Sequence, residues 1–252
     1  MTVRINLWSG PRNVSTALMY SFAQRPDTRV VDEPLYAHYL RLTGADHPEP
    51  AKVLASQESD GEKVVRELIL GPCDRPVLFL KQMAHHLVGL DHAFLADTVN
   101  VLLIRDPAEV LPSLVHLVPE PILRDTGLAV QSELLDELRA LGQDPPVVDS
   151  RELLLDPAGV LEQLCQRIGI PFDEAMLSWE AGPRPEDGVW APHWYQNVHR
   201  TTGFRPYRPK TGVFPERLEP LLEECRPYYA ALYAAAIKAA PTGDAGARLT
   251  AR

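Results

Sequence analysis

The stretch LWSGPRNVSTALMYSF, from Leu7 to Phe22, gives the first indication of the fold. An apolar run is followed by a loop around Gly10 and Arg12, and then by a segment of good helix formers. A strand, a tight loop and a helix in this order present free backbone N–H groups at the helix N-terminus, where an anion can bind. The cation in the loop is an arginine, and the Gly-Lys-Ser/Thr of nucleotide triphosphate loops is missing. The stretch therefore predicts a phosphate cradle of an uncommon kind.

The composition is that of an ordinary globular protein, with 252 residues of which 45% are hydrophobic and 23% charged. The net charge of −9 argues against a general binder of nucleic acid or of anionic membranes, because both need a basic surface. The three cysteines form no CxxC pair, so we expect them to be reduced. The sequence shows neither a signal peptide nor an apolar run of membrane-spanning length. We therefore expect a cytoplasmic protein with no nucleic-acid or membrane partner, and a homodimer is compatible with the sequence.

Short, continuously apolar runs alternate with helical patterns along most of the chain. Continuous apolar runs suit strands that are covered on both faces of a parallel sheet. We therefore predict a three-layer α/β fold, an open and mostly parallel sheet flanked by helices, with right-handed crossovers. The predicted strands are 3–8, 28–32, 76–81, 98–104 and 145–149, and the predicted helices are 14–24, 61–70, 107–117, 132–141, 157–168 and 215–240.

We expect residues 1–240 to form a single domain and residues 241–252 to form a flexible tail. Within this domain, residues 179–215 are rich in Pro, Gly, Trp, His and Arg and show no regular periodicity. A loop of this length inside a compact domain is usually functional or disordered. Its aromatic residues favour an ordered lid or the wall of a substrate pocket.

A second pair of polar residues belongs to the fourth predicted strand and the helix after it. Arg105 directly follows the strand, and Ser113 comes eight residues later, a little over two helical turns. This spacing would place both side chains near the strand end, where they could share an anion. Taken alone, each stretch has a plainer interpretation: a solvent-facing Arg12 in an ordinary turn, and either an ion pair between Arg105 and Asp106 or a capped helix.

Together, the two stretches resemble the sulfotransferase family, whose members use 3′-phosphoadenosine-5′-phosphosulfate (PAPS) and release adenosine 3′,5′-bisphosphate (PAP). The family's 5′-phosphosulfate loop, Pro-Lys/Arg-Ser-Gly-Ser/Thr-Thr, is similar to residues 11–16, and its 3′-phosphate motif of Arg with Ser eight residues later is matched by Arg105 and Ser113. The family pattern Tyr-Glu-Asp-Leu with a later proline lines up with SRELLLDP, residues 150–157. The resemblance extends to Lys81, and the segment NVHRTTGF weakly resembles the family's Arg-Lys-Gly loop over the 3′-phosphate.

The resemblance implies a P-loop-like sulfotransferase architecture and a set of nucleotide-binding residues. These residues are Arg12, Asn13, Val14, Ser15, Thr16, Arg105, Ser113, Ser150, Arg200, Thr201 and Gly203. Two departures from the family pattern bear on how tightly PAPS would bind. Asn13-Val14 replaces Ser-Gly, so the loop must avoid positive φ at the stiff valine, and Ser150 replaces an aromatic residue.

The resemblance also implies a direct in-line transfer of a sulfuryl group to a hydroxyl or amine of a small-molecule acceptor. Arg12 would stabilise the departing 5′-phosphate. A catalytic metal is not part of the family pattern, and His193 and His199 have a spacing that fits no common zinc site, so we expect no metal. For the base that deprotonates the acceptor we choose Glu33, which follows the second strand; His85 and His86 are its rivals.

Two other functions stay open at this point. The run VVDE could end a strand with acids that hold magnesium, as in a small-molecule kinase or another phosphoryl-transfer enzyme. A regulatory or scaffold protein that binds a nucleotide without chemistry is the other alternative.

Overall fold

A computed structural model of the chain describes residues 2–240, and the predicted tail of residues 241–252 lies outside this part. Its strands form one parallel sheet in the order β2-β3-β1-β4-β5-β6. They are β1 (Val3–Ser9), β2 (Thr28–Asp32), β3 (Val77–Met83), β4 (Val99–Ile104), β5 (Val147–Asp149) and β6 (Ala236–Ile237). The predicted fold class, an open parallel α/β sheet flanked by helices, is confirmed.

Each predicted helix is present in the structure, but most of them begin or end at residues other than those predicted. They are α1 (Ser15–Ala23), α2 (Tyr36–Thr43), α3 (Pro50–Ser56), α4 (Gly61–Val64, continued by a π-helical turn Val65–Ile69), α5 (Pro107–Leu114), α6 (Leu123–Thr126), α7 (Leu128–Ala140), α8 (Ser150–Leu155), α9 (Pro157–Arg167), α10 (Ala191–Trp194) and α11 (Glu219–Ala234). The sequence pattern does not predict α2, α3, α6, α8 or α10. Among residues 2–240, no helix combines the length and the apolarity that crossing a bilayer requires.

Both faces of the sheet are buried, which explains the continuous apolar runs. Trp8, Leu80 and Leu102 point to one side, where they share a core with residues of α5, α7 and α11. Alternate residues such as Leu7 and Phe79 point to the other side, into a second core built with α1 and α9. The two cores on opposite faces make the three layers.

The predicted helix over residues 215–240 is wrong at its C-terminal end. Helix α11 stops at Ala234, and Ala236 and Ile237 instead pair with Val147 and Val148 of β5 as a sixth strand. This pairing covers the edge that β5 would otherwise expose, and it buries Ile237 to 6% exposure. The two residues are too few to leave a strand pattern in the sequence.

The irregular segment 179–215 packs against α2. Trp190 and Tyr195, on either side of α10, are buried with Tyr36 and Leu40 of that helix. This packing brings the segment to the carboxyl end of the edge strand β2.

Candidate active site

The loop between β1 and α1 emerges at the middle of the carboxyl edge of the sheet. Strand β1 lies between β3 and β4, so the chain order reverses there, and ligands of open α/β sheets bind at such a point. No side chain caps the N-terminus of α1, so its first N–H groups are not satisfied by a local cap. This end of α1 is therefore suited to an anion.

The backbone of this loop has its unusual conformation at Arg12. Arg12 has φ of 57°, whereas Val14 has φ of −93° and so avoids the left-handed region, as the sequence predicts. Gly10 is needed for a close approach, because a Cβ there would lie 2.5 Å from the Thr126 carbonyl oxygen. The loop is therefore held against α6 at one end and turned sharply at Arg12.

Asn13 and Ser150 fix the loop to the sheet. The Asn13 amide donates to the Leu103 carbonyl over 3.0 Å, and its carbonyl oxygen accepts from the Val14 N–H over 2.8 Å. The Ser150 hydroxyl lies within hydrogen-bonding distance of that same Asn13 oxygen and of the Ile104 carbonyl. Ser150 is buried and begins α8, where the sequence predicts only a strand end. Both side chains thus bond to the protein around the loop.

The two motif stretches meet directly. Arg12 Nε donates to Ser113 Oγ over 2.6 Å, and Arg105 Nη1 donates to the Arg12 carbonyl over 2.8 Å. The alternative ion pair between Arg105 and Asp106 is wrong, whereas the capped helix is confirmed. Asp106 caps α5, and Arg105 pairs with Glu109 at 3.1 Å. Burial and the neighbouring charge of Arg105 lower the pKa of Arg12. Within residues 2–240, Arg12 has no carboxylate partner, so this corner carries cationic charge that an anion would balance.

A third cation lies beside this pair. The Lys210 ammonium donates to the Glu109 carbonyl over 2.7 Å, and burial together with the charges of Arg105 and Arg12 lowers its pKa. The sequence patterns do not single out Lys210, although the basic run RPYRPK, residues 205–210, carries the signal.

The residues predicted from the segment NVHRTTGF, residues 197–204, are engaged elsewhere. Thr201 accepts from the Trp179 indole N–H over 3.2 Å, and Gly203 forms an isolated bridge with Ser178. Arg200 is exposed. Among the described residues, no hydrogen bond joins this group to the loop that follows β1. Their contact with a nucleotide stays a prediction.

Glu33 belongs to a buried charged cluster at the ends of β2 and β3. The register pairs Asp32 with Lys81, and the Lys81 ammonium lies 2.8 Å from Asp32 Oδ1, 2.5 Å from Glu33 Oε1 and 2.6 Å from the Tyr195 hydroxyl. Burial raises the pKa of Glu33 and the charge of Asp32 adds to this, while Lys81 opposes it. Burial acts to lower the pKa of Lys81, but the two carboxylates outweigh it and raise that pKa well above its ordinary value. The cluster thus holds a protonated lysine and a glutamate with raised proton affinity.

The rival histidines are neutral rings packed among tyrosines. His86 stacks on Tyr36 at 5.1 Å between ring centroids and on Tyr39 at 4.8 Å, and burial lowers its pKa well below the ordinary value. Burial lowers the pKa of His85 to about 4. Within the described part of the chain, neither ring hydrogen-bonds to Glu33. The same residues contain no group of three or more His, Cys, Asp or Glu side chains that could hold a metal ion.

Comparison with known proteins identifies the family. A family model described as "Sulfotransferase domain" matches residues 3–236, so the chain belongs to this family. Two Arabidopsis thaliana proteins, branched-chain-amino-acid aminotransferase-like proteins 2 and 1, are 42% and 43% identical to it over 226 residues, which is 89% of the chain. The chain spans 40% of the length of each of these relatives.

Solved structures of the same fold are sulfotransferases. The sulfotransferase domain from the curacin biosynthetic pathway has a TM-score of 0.55 at 19% identity, over 92% of this chain and 98% of that one. The sulfotransferase domain of the Synechococcus PCC 7002 olefin synthase has a TM-score of 0.52 at 18% identity, over 89% and 95%. A sulfotransferase from Alicyclobacillus acidocaldarius has a TM-score of 0.52 at 13% identity, over 93% and 95%. The predicted family resemblance and its P-loop-like architecture are thus confirmed.

Proposed function

We propose that this protein transfers a sulfuryl group from PAPS to a hydroxyl or amine of a small molecule. One observation carries the proposal. Arg12 and Arg105 come together at the loop that follows β1, and Arg12 bonds to Ser113 with no carboxylate to neutralise it among the described residues. Two arginines at an uncapped helix N-terminus suit a ligand with two separate phosphate groups.

On the donor side, the 5′-phosphosulfate would lie at the N-terminus of α1. As the sulfur–oxygen bond breaks, negative charge builds on the bridging oxygen, and Arg12 with the backbone N–H groups would stabilise it. Arg105 would hold the 3′-phosphate, with Ser113 and Lys210 beside it. The arginine fork suits a phosphate oxygen pair better than a lysine does.

On the acceptor side, Glu33 would take the proton. The acceptor oxygen or nitrogen forms its bond to sulfur, the bond from sulfur to the 5′-phosphate breaks, and PAP leaves. The raised pKa of Glu33 supports this role, because a base works best when its pKa approaches the working pH. Its place at a strand end gives it a rigid support.

The phosphoryl-transfer alternative is weaker. It needs the acids of the VVDE run as magnesium ligands, but Asp32 and Glu33 are both bonded to the Lys81 ammonium. A carboxylate neutralised by an internal cation is a poor ligand for a second cation.

The test is ligand-induced stabilisation followed by turnover. PAP in excess EDTA should raise the melting temperature according to RT ln(1+[L]/Kd), and adenosine 5′-phosphate, which lacks the 3′-phosphate, should do so less. PAP release from PAPS should then depend on an acceptor drawn from a panel of small hydroxyl and amine compounds. Stabilisation by ATP–Mg²⁺ in place of PAP would overturn the proposal in favour of phosphoryl transfer. PAP binding without turnover on any acceptor would favour the regulatory alternative.

A further inference from the structure

We propose that Tyr195 is a positioning residue for Glu33. Its hydroxyl, which the irregular segment 179–215 (the late segment) brings to the site, fixes Lys81 and Asp32 so that Glu33 is the carboxylate that takes the acceptor's proton. The inference rests on the proposed function and adds to it a residue outside the motif stretches. It also gives the late segment a part in assembling the base.

The Tyr195 hydroxyl is fully engaged within the cluster. It lies 2.8 Å from Asp32 Oδ2, accepts from Lys81 Nζ over 2.6 Å, and accepts from the Trp190 indole N–H over 3.0 Å. Because the ammonium and the indole can only donate, the phenolic proton is left to point at Asp32. Tyr195 is only 5% exposed, so water does not compete readily for these contacts. The hydroxyl is therefore held in one orientation.

The two carboxylates of the cluster are not equivalent. Asp32 receives Lys81, the Tyr195 hydroxyl and the Gly188 N–H, the last over 3.1 Å. Glu33 receives the Lys81 ammonium, and the Tyr195 hydroxyl stabilises its charged form only as a smaller contribution. Two carboxylates and one ammonium leave one excess negative charge, and hydrogen bonds stabilise it on Asp32. A proton that enters the cluster therefore goes to Glu33.

The groups that face Glu33 come from every element around it. Asp32 precedes it on β2, Lys81 reaches it from β3, and Tyr36 faces it from α2. Burial raises the pKa of both phenols; the charge of Glu33 adds to this at Tyr36, and the charges of Asp32 and Glu33 add to it at Tyr195, so both stay protonated. Lys81 is thus the cation, and Tyr195 the neutral donor, that act on the two carboxylates.

The late segment has a second, separate attachment that supplies a matched control. Asp187 accepts from the Tyr20 hydroxyl of α1 over 2.6 Å and lies 2.9 Å from His199 Nε2. The Tyr20 hydroxyl therefore anchors the same segment without a hydrogen bond to Lys81 or Glu33. Tyr20→Phe loosens the segment, whereas Tyr195→Phe also removes the donor to Asp32.

The experiment compares Tyr195→Phe with Tyr20→Phe and the parent. We expect Tyr195→Phe to keep PAP affinity and the acceptor KM within about twofold and to lower kcat on the order of tenfold or more. We also expect the acid limb of its kcat–pH profile to move to higher pH, since the cluster loses a donor that stabilises its negative charge. Tyr20→Phe should leave that limb in place. An unchanged profile in Tyr195→Phe, or an equal shift in both variants, would overturn the inference.

A readout without substrate separates this inference from the proposed function. Carboxyl ¹³C signals of the folded protein are titrated, with Glu33 assigned by its loss in Glu33→Gln. Its titration should move to higher pH in Tyr195→Phe, because the hydroxyl also stabilises the charged form of Glu33, and should stay in place in Tyr20→Phe. If the protein shows this shift but never turns over PAPS, the proposed function is refuted and the positioning role of Tyr195 is supported. An unshifted Glu33 signal in an active enzyme would refute the positioning alone.

Discussion

Arg12 Nε lies 2.6 Å from Ser113 Oγ, which joins two stretches that are 101 residues apart in the sequence. Arg105 completes the connection from the other side through the Arg12 carbonyl. The phosphate loop is thus held in place by the very residues that are predicted to bind the other end of the nucleotide. Substitution of Arg105 should therefore affect nucleotide binding, whereas substitution of Arg12 should affect mainly the transfer step.

Arg105→Ala should weaken PAP binding about 10- to 100-fold, because a charge-assisted contact to the 3′-phosphate is lost at a partly buried site. Binding of adenosine 5′-phosphate should change much less. Titration calorimetry with both ligands measures the difference. Arg167→Ala, which breaks a surface pair with Asp144, is the control and should change neither. An equal loss for both ligands would mean that Arg105 acts only on the loop.

Arg12→Ala should lower kcat more than it raises the KM for PAPS, because the charge that Arg12 meets develops only in the transition state. The residue has φ of 57°, so arginine and alanine carry the same backbone strain, which glycine lacks. Arg12→Gly removes the side chain without that strain and should give the same kinetic pattern. A pure KM effect in the glycine variant would make Arg12 a binding residue only.

Glu33→Gln should reduce turnover on the order of 10²–10⁴-fold while PAP binding survives, since the amide keeps the shape but cannot take the proton. In the parent, the rate should rise with pH as Glu33 deprotonates. Because burial raises the pKa of Glu33, this limb should lie above the ordinary glutamate value of about 4.3.

The histidine variants are the comparison for Glu33. His85→Asn and His86→Asn should each cost about tenfold or less, because both rings are packed among tyrosines. Loss of turnover in either one, with Glu33→Gln still active, would move the base to the end of β3.

The free energy of unfolding should fall as the solution becomes acidic below pH 6.5. Burial lowers the folded-state pKa of His85 to about 4 and that of His86 well below its ordinary value, so the unfolded chain binds protons first. Stability contributed by the neutral rings is therefore present above about pH 6.5 and is lost as the pH falls toward the folded values, by up to about 1.4 kcal/mol per pH unit for each ring. Urea unfolding at pH 7, 6 and 5 measures this slope. The slope should be smaller for His86→Phe than for the parent, and an equal slope would contradict the assignment.

Excess EDTA should leave PAP binding and turnover unchanged. No cluster of potential metal ligands exists among residues 2–240, and the acids nearest the site are bonded to Lys81. Activity is measured before and after chelation, with added Mg²⁺ as the control. Loss of activity that Mg²⁺ restores would revive the phosphoryl-transfer alternative.

The sequence predicts the parts of the site that lie within one strand–loop–helix unit. The loop at Arg12, the strand end at Arg105 and the carboxylates after β2 each follow an apolar run, and the parallel sheet brings such ends to one edge. The sequence places Tyr195 only among the aromatic residues of a lid or pocket wall and does not single out Lys210, because no periodicity in the irregular segment fixes which side chain reaches the edge. The partner of Lys81 depends on the register between β2 and β3, which two buried apolar runs leave undetermined. The strand β6 is unpredictable for a similar reason: its two residues form a strand only because they pair with β5.

Arg12 and Glu33 both have a left-handed backbone, with φ of 57° and 42°. This conformation lowers the stability of the fold at two residues that the proposed reaction needs. Each such conformation costs a non-glycine residue on the order of 1–2 kcal/mol, a cost that glycine does not bear. At position 12, selection for thermal stability alone would therefore favour glycine and remove the cation. At position 33 the bond to the buried Lys81 ammonium is worth more than the strain, so the carboxylate would be kept. Among descendants of this chain, a glycine at position 12 beside a retained Glu33 would mark a lineage that has kept the fold and given up the proposed reaction.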